Sequence, residues 1–207
     1  MPNSDSTATG ALGVKPHPEA GRYTGIAMLL HWLIALMILT NLAIVWIVDY
    51  VPDDDVRPLV NTHKSIGITV LGLAVLRVLW RLANPPPPLP PETSRFEKTA
   101  SHAVHMALYA LIFLMPLTGY IHDSAWEGAV RNPNFWFGLF EWPRIGVIMA
   151  QSDATKLWIH GTFSTIHASL GYVLYALLAL HIAAALKHQF IDHQTELQRI
   201  LPWGRVR

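Results

Sequence analysis

Residues 25–48 read GIAMLLHWLIALMILTNLAIVWIV, and this stretch decides the class of fold. It holds no charged side chain. Its length suits a helix that rises 1.5 Å per residue and crosses roughly 30 Å of hydrocarbon with about 20 residues. Three more runs of similar length follow, at about 65–83, 103–122 and 165–190. These carry His, Arg, Ser and Gly among their apolar residues, the pattern of a helix with one stripe on a polar interior and the rest on lipid. Four such spans predict an all-α integral membrane protein, a four-helix up-down bundle.

Composition agrees with a membrane chain. Of 207 residues, 52% are hydrophobic and 14% charged, against about 25% charged in ordinary soluble domains, and the mean hydropathy is +0.31. A net charge of +1 gives no electrostatic footprint for nucleic acid. The absence of cysteine removes disulfides, iron–sulfur clusters, thiolate zinc sites and covalent haem attachment together. Metal chemistry falls to eleven histidines and the carboxylates.

The spans divide the chain into a flexible N-terminal tail over 1–21, the bundle over 22–190 and a C-terminal tail over 191–207. Ser, Thr, Gly and Pro dominate the first tail, which has no hydrophobic stretch of its own and so does not read as a signal peptide. Between spans two and three, Asn84 to Pro91 includes a run of prolines that cannot be helical and forms a stiff spacer. The connection over about 123–164 contains Trp126, Phe135, Trp136, Phe137, Phe140, Trp142 and Trp158, an aromatic density suited to the headgroup level. Pro116 predicts a kink in the third span. With both termini on one side, ten Lys and Arg lie on that side and five on the other, which predicts cytoplasmic termini.

An ionisable residue inside a span is a functional-site hypothesis by default. His31 lies well inside the first span and His181 deep in the fourth; up-down topology brings both to the cytoplasmic half. His63 heads the second span and His167 begins the fourth, one level in the opposite half. His167 and His181 are fourteen residues apart, about 21 Å and nearly four whole turns, so both point from one face. His160 and His188 continue that stripe, but His160 reads as loop and His188 as membrane exit beside Lys187. Two imidazoles fill both axial positions of a b-type haem without covalent attachment. The expected iron ligands are therefore His31 with His181 and His63 with His167, holding two haems b. Arg77, fourteen positions beyond His63, reaches the cytoplasmic level and is a candidate partner for a haem propionate. His102 and His105, three residues apart, are a weaker candidate metal pair, while His17, His122 and His193 read as surface. Gly67, Gly72 and Gly171 offer close approach to a flat macrocycle or a neighbouring helix. Lys64, Arg57 and Lys156 place positive charge near the outer pair, where they would steer a small anion.

The chain resembles the bacterial cytochrome b561 family. The likeness rests on Leu30-His31-Trp32-Leu33, on Arg57-Pro58-Leu59-Val60-Asn61-Thr62-His63, and on Val75-Leu76-Arg77-Val78-Leu79-Trp80-Arg81 before the proline run. It continues through Asn132-Pro133, Phe137-Gly138-Leu139, His167, Leu180-His181 and Ala183-Ala184-Ala185-Leu186-Lys187-His188. The resemblance implies a di-haem b electron-transport protein of the bacterial inner membrane whose four matching histidines are the set chosen by depth. It also implies an oxidoreductase that oxidises superoxide at the periplasmic face and reduces ubiquinone, with membrane lipid, quinone and a small diffusible donor as partners. The same domain is similar to cytochrome b subunits of hydrogenases and formate dehydrogenases, which implies the alternative of an electron-relay subunit for a soluble redox enzyme.

Overall fold

The computed structural model describes residues 21–88, 94–193 and 196–203; the expected N-terminal tail, His17 included, falls almost wholly outside them. The elements in chain order are α1 (Gly25–Ile47), α2 (Asp53–Ala83), α3 (Arg95–Ser124), a two-stranded hairpin β1 (Phe135–Trp136) and β2 (Phe140–Glu141), α4 (Gly146–Met149), α5 (Asp153–Phe190) and α6 (Glu196–Ile200). Four of these, α1, α2, α3 and α5, are long and apolar enough to cross a membrane. α1 packs on α2, α2 on α3 and α3 on α5.

The apolar runs locate the spans but not their full helices. α2, α3 and α5 begin about ten residues earlier than hydropathy places them, because their first turns are polar and stabilised by local chemistry. Asp53, Asp54 and Asp55 occupy the first turn of α2, where carboxylates complement the helix dipole. Ser94 and Glu97 close a reciprocal capping box on α3. The Ser152 side chain accepts from Thr155 N at the start of α5. α5 has 38 residues, a rise of about 57 Å, so its ends project beyond the hydrocarbon. His160, expected in a loop, consequently lies on α5, on the same face as His167.

Side chains are distributed for a lipid solvent. A small centre forms from Ile34, Ile44, Ile66 and Val70, with Met37, Ile38 and Ile112 against it. Leu29 and Leu36, both on α1, remain 64% and 63% exposed, which hydrocarbon satisfies and water would not.

The two ends are closed differently. At the end holding the described chain termini, the fully buried Arg199 guanidinium of α6 donates to Gly21 O at 3.2 Å and Pro88 O at 2.7 Å and pairs with Glu196 at 3.3 Å. Trp32 Nε1 donates to Ile200 O at 2.9 Å, so the segment expected as a tail contains a helix clasped under α1. Nearby, Lys187 bridges Asp192 at 2.6 Å and Glu97 at 3.8 Å. The hydrogen bond from Lys187 holds the Asp192 carboxyl below its usual range. Glu97, His188 and Asp192 gather here closely enough to hold a metal, but the Lys187 ammonium already supplies their cation.

At the opposite end, the segment between α3 and α5 folds back onto α2. Ser65 Oγ accepts from Phe137 N at 3.0 Å, and Trp136 Nε1 donates to Thr69 Oγ1 at 3.0 Å. The hairpin turns through Phe137 (φ 47°) and Gly138 (φ 74°), a pair of positive φ values that suits the right-handed twist of its strands.

Candidate functional site

Helix register brings the four expected histidines together in two pairs. His31 of α1 and His181 of α5 have ring centroids 6.4 Å apart and planes at 70°. His63 of α2 and His167 of α5 are 6.2 Å apart at 82°. Two imidazoles on opposite sides of one metal, each with a bond of about 2.0 Å, have ring centres roughly 6 Å apart. Both pairs therefore have a spacing at which the two imidazoles could share one metal.

Second contacts fix the rings. His167 Nδ1 lies 3.0 Å from Met115 O and 3.1 Å from Thr118 Oγ1, while the Thr118 hydroxyl donates to Leu114 O at 2.7 Å. Nδ1–H thus donates to the Met115 carbonyl and leaves Nε2 with its lone pair free, the tautomer a metal ligand requires. Pro116, expected only to kink α3, follows directly after this carbonyl. Gly119 is one turn along: a Cβ there would meet His167 Cε1 at 3.1 Å, so a larger residue would press on the ring. At Gly67, Gly72 and Gly171 a Cβ would meet nothing within 4 Å, so open space rather than helix contact surrounds the glycines singled out from sequence.

A cavity of about 170 Å³ lies at this level, lined among others by Asn41, His63, Gly67, Gly119 and His167. His63 Nδ1 is buried with no protein hydrogen bond among the described residues. Such a nitrogen suits a metal better than the apolar wall around it. The residues present thus fit haem ligation at this pair, and the matching ring spacing extends the fit to His31 and His181.

Arg77 stands where depth places it. Its Nη2 lies 3.4 Å from His31 Nδ1 and its Nη1 donates to Ala27 O at 3.1 Å. Tyr109 receives both Arg77 and Arg81 on its ring, at 5.7 and 5.3 Å. His105 packs on His181 with centroids 5.4 Å apart, and its Nδ1 lies 3.3 Å from Ser101 Oγ.

Two expectations change. His122, read as surface, is half-buried and faces His160: their Nδ1 atoms are 3.3 Å apart, and His160 Nδ1 also donates to His122 O at 2.9 Å. The turn of α3 that presents His122 also presents Asp123, so burial on this face was hidden by polar neighbours. Lys64 is not a free steering charge. It pairs with the buried Asp123 at 2.8 Å and donates to Asn134 Oδ1 at 3.0 Å. Arg144 holds the other Asp123 oxygen at 2.9 Å and also donates to Ala129 O and Asn132 O, both at 2.8 Å. Arg57 lies over the Trp126 ring at 4.8 Å, and Lys156 pairs with Asp153 at 2.9 Å. Asp123, Asn134 and Arg144, which sequence reasoning did not single out, form the joint between the returning loop and the bundle.

The sequence model of the prokaryotic cytochrome b561 family matches residues 22–203. Among curated proteins, cytochrome b561 homolog 2 of Escherichia coli (strain K12) is 34% identical over 183 residues, 87% of this chain and 91% of that protein. A probable superoxide oxidase CybB of Yersinia pestis is 24% identical over 188 residues, covering 89% and 98%. Cytochrome b561 homolog 1 of Escherichia coli (strain K12) is 24% identical over 183 residues, covering 87% and 97%.

Proposed function

The chain belongs to the prokaryotic cytochrome b561 family of haem b membrane electron-transfer proteins, and we propose that it carries electrons between two haems b, oxidising superoxide and reducing ubiquinone at the periplasmic end. The observation that carries this reading is the pair of histidine couples at matched spacing, one in each half of the bundle. His31 and His181 would hold one iron, His63 and His167 the other. Haem b supplies reversible one-electron transfer between ferric and ferrous iron.

The protein's own residues set the conditions for that chemistry. The Met115 carbonyl holds the His167 proton at Nδ1, keeping Nε2 available. Arg77 places a cation at the His31–His181 level, where it would accept a haem propionate or stabilise the reduced state. The apolar walls exclude water, which limits side reactions. In the balanced reaction two superoxide ions lose one electron each, giving two dioxygen molecules, and one quinone takes both electrons with two protons to give the quinol. The relative named as a probable superoxide oxidase supports this substrate choice. The excess of Lys and Arg on the terminal side supports cytoplasmic termini, with the His63–His167 level toward the periplasm.

The test is a pyridine haemochrome assay, expected to return two haems per fully loaded chain, followed by anaerobic reduction with a superoxide source and reoxidation by ubiquinone. Reduction only by a co-purifying soluble enzyme, with superoxide inert, would establish the relay subunit instead. Gly119→Ala is expected to lower haem occupancy at one pair alone, since its Cβ crowds the His167 ring. Gly72→Ala, which meets open space, should leave both haems in place, and helix propensity favours it by up to about 1 kcal/mol. Equal haem spectra in the two variants would show that the Gly119 approach is not needed.

A further inference from the structure

Helices pack backbone to backbone along α1–α2, α2–α3 and α3–α5, and long side chains span the remaining seam between α1 and α5. In its inner half the seam holds His31 and His181. In its outer half the Trp46 indole N–H of α1 donates to Tyr175 Oη at 3.0 Å. The Trp46 and Tyr175 ring centroids are 5.8 Å apart, and Tyr172 stands 6.4 Å from Tyr175 on α5. Trp46 is 66% and Tyr172 74% exposed. Trp46 ends its apolar run, an ordinary place for tryptophan, but the two tyrosines lie deeper than the aromatic belt. They follow Thr165, where the fourth apolar run begins, by seven and ten positions, about 10 and 15 Å along the helix.

Hydrocarbon offers these hydroxyls no partner, and a polar group left unmatched there is unfavourable. The Tyr175 oxygen already accepts from Trp46, so its proton is turned onward; among the described residues neither this proton nor the Tyr172 hydroxyl meets an acceptor. Two O–H donors beside aromatic faces call for a flat molecule that carries oxygen acceptors to this depth. Lipid ester carbonyls stay in the interfacial layer outside the hydrocarbon core. A quinone ring enters that core, its carbonyl oxygens accept neutral O–H donors, and its plane suits aromatic side chains. Room exists for it: at Gly171, one turn before Tyr175, a Cβ would meet nothing within 4 Å. This place is distinct from the cavity of the His63–His167 pair, which Trp46, Tyr172 and Tyr175 do not line. Leu42 and Leu174 do line that cavity, and they lie one turn before Trp46 and one residue before Tyr175, so the seam and the cavity share a wall one side chain thick.

We infer that the outer half of the α1–α5 seam is the docking site for the ring of a lipophilic quinone arriving from the bilayer, with the Tyr172 and Tyr175 hydroxyls donating to its carbonyl oxygens. The indole N–H of Trp46 polarises the Tyr175 hydroxyl and strengthens its onward bond. The inference rests on the proposed reading of the protein as a quinone reductase and adds where the quinone sits and which groups hold it. The tyrosines are binding residues: they distinguish carbonyl compounds from hydrocarbons of equal shape.

The experiment uses the haem-loaded full chain in lipid nanodiscs and two probes that differ only in their oxygens, menadione and 2-methylnaphthalene. Tyr175→Phe and Tyr172→Phe keep the rings and should each weaken menadione about five- to tenfold, the loss of one neutral hydrogen bond, while leaving 2-methylnaphthalene and the haem spectrum unchanged. The carbonyl stretch of ¹³C-labelled menadione, lowered on binding to wild type, should return toward its free value in each variant. Wild-type affinity and an unmoved band in both variants would overturn the inference. A fall from dimer to monomer in Tyr172→Phe, measured by light scattering, with menadione binding intact would make the seam a contact between copies of the chain and also overturn it. On wild-type protein alone, a photoactivatable azido derivative of menadione should label α5 around Tyr172 and Tyr175, and label confined to other segments would overturn the inference whether or not the variants fold. A chain inert to superoxide whose menadione binding still depends on the two hydroxyls would fail the functional reading and uphold this one. Reoxidation by ubiquinone at wild-type KM in the double Phe variant would do the reverse.

Discussion

His63→Ala and His167→Ala should each remove the same haem, and His31→Ala and His181→Ala the other, so that every single variant keeps about half of the pyridine haemochrome signal. The reason is geometric. The rings of each couple are just over 6 Å apart, while His167 and His181 are separated by about 21 Å along α5, too far to share an iron. One imidazole cannot hold a six-coordinate low-spin site alone, so removal of either partner abolishes that site's spectrum. Redox titration of the single variants is the check. Loss of one spectral component in both His63→Ala and His31→Ala would show that the couples are formed otherwise. His105→Ala supplies a useful contrast, because its ring packs on His181 without joining a couple. It should perturb the component lost in His181→Ala and retain both haems.

The couples were legible in the sequence because depth in a membrane is one-dimensional. Once four spans and an alternating topology are set, the position of a histidine along its span fixes its level, and only residues at one level can meet. What lies outside the apolar runs was not legible in this way. His160 looked like loop because Asp153 and Lys156 precede it, yet Ser152 caps the helix there and carries it through to His167. His122 looked like surface because its partner is 38 residues away on another helix. The Lys64–Asp123 and Arg144–Asp123 pairs join residues 59 and 21 positions apart, with no periodicity to announce them. Lys64 was consequently read as a charge facing solvent, when its ammonium is a structural tie. Gly119 left a faint trace, the one glycine of its span and three positions beyond Pro116, but only the His167 ring gives that position its meaning.

Asp123→Asn should be the most destabilising substitution at the end of the bundle away from the described termini. Asp123 is buried and faces two cations, of which Arg144 has a side chain only 4% exposed and Lys64 one 23% exposed. Removing one partner of a buried ion pair leaves the other charge uncompensated, at about 3–5 kcal/mol. Here a single carboxylate serves both cations, and Asn134 Nδ2 donates to it as well, at 2.6 Å. The returning loop hangs on this joint, so its detachment would carry Trp136 and Trp142 away from the cavity. The melting temperature of the purified protein is expected to fall by about 10 °C, with the haem of the His63–His167 couple released first. Lys64→Gln removes one tie and leaves Arg144–Asp123 intact, so it should lower the melting temperature by only a fraction of that amount. This ordering separates two roles for Lys64. A steering charge would make Lys64→Gln slow superoxide oxidation in a salt-dependent way without affecting thermal stability. A structural tie lowers stability and leaves the salt dependence as in wild type, because an ammonium already paired with Asp123 contributes little net field toward an approaching anion.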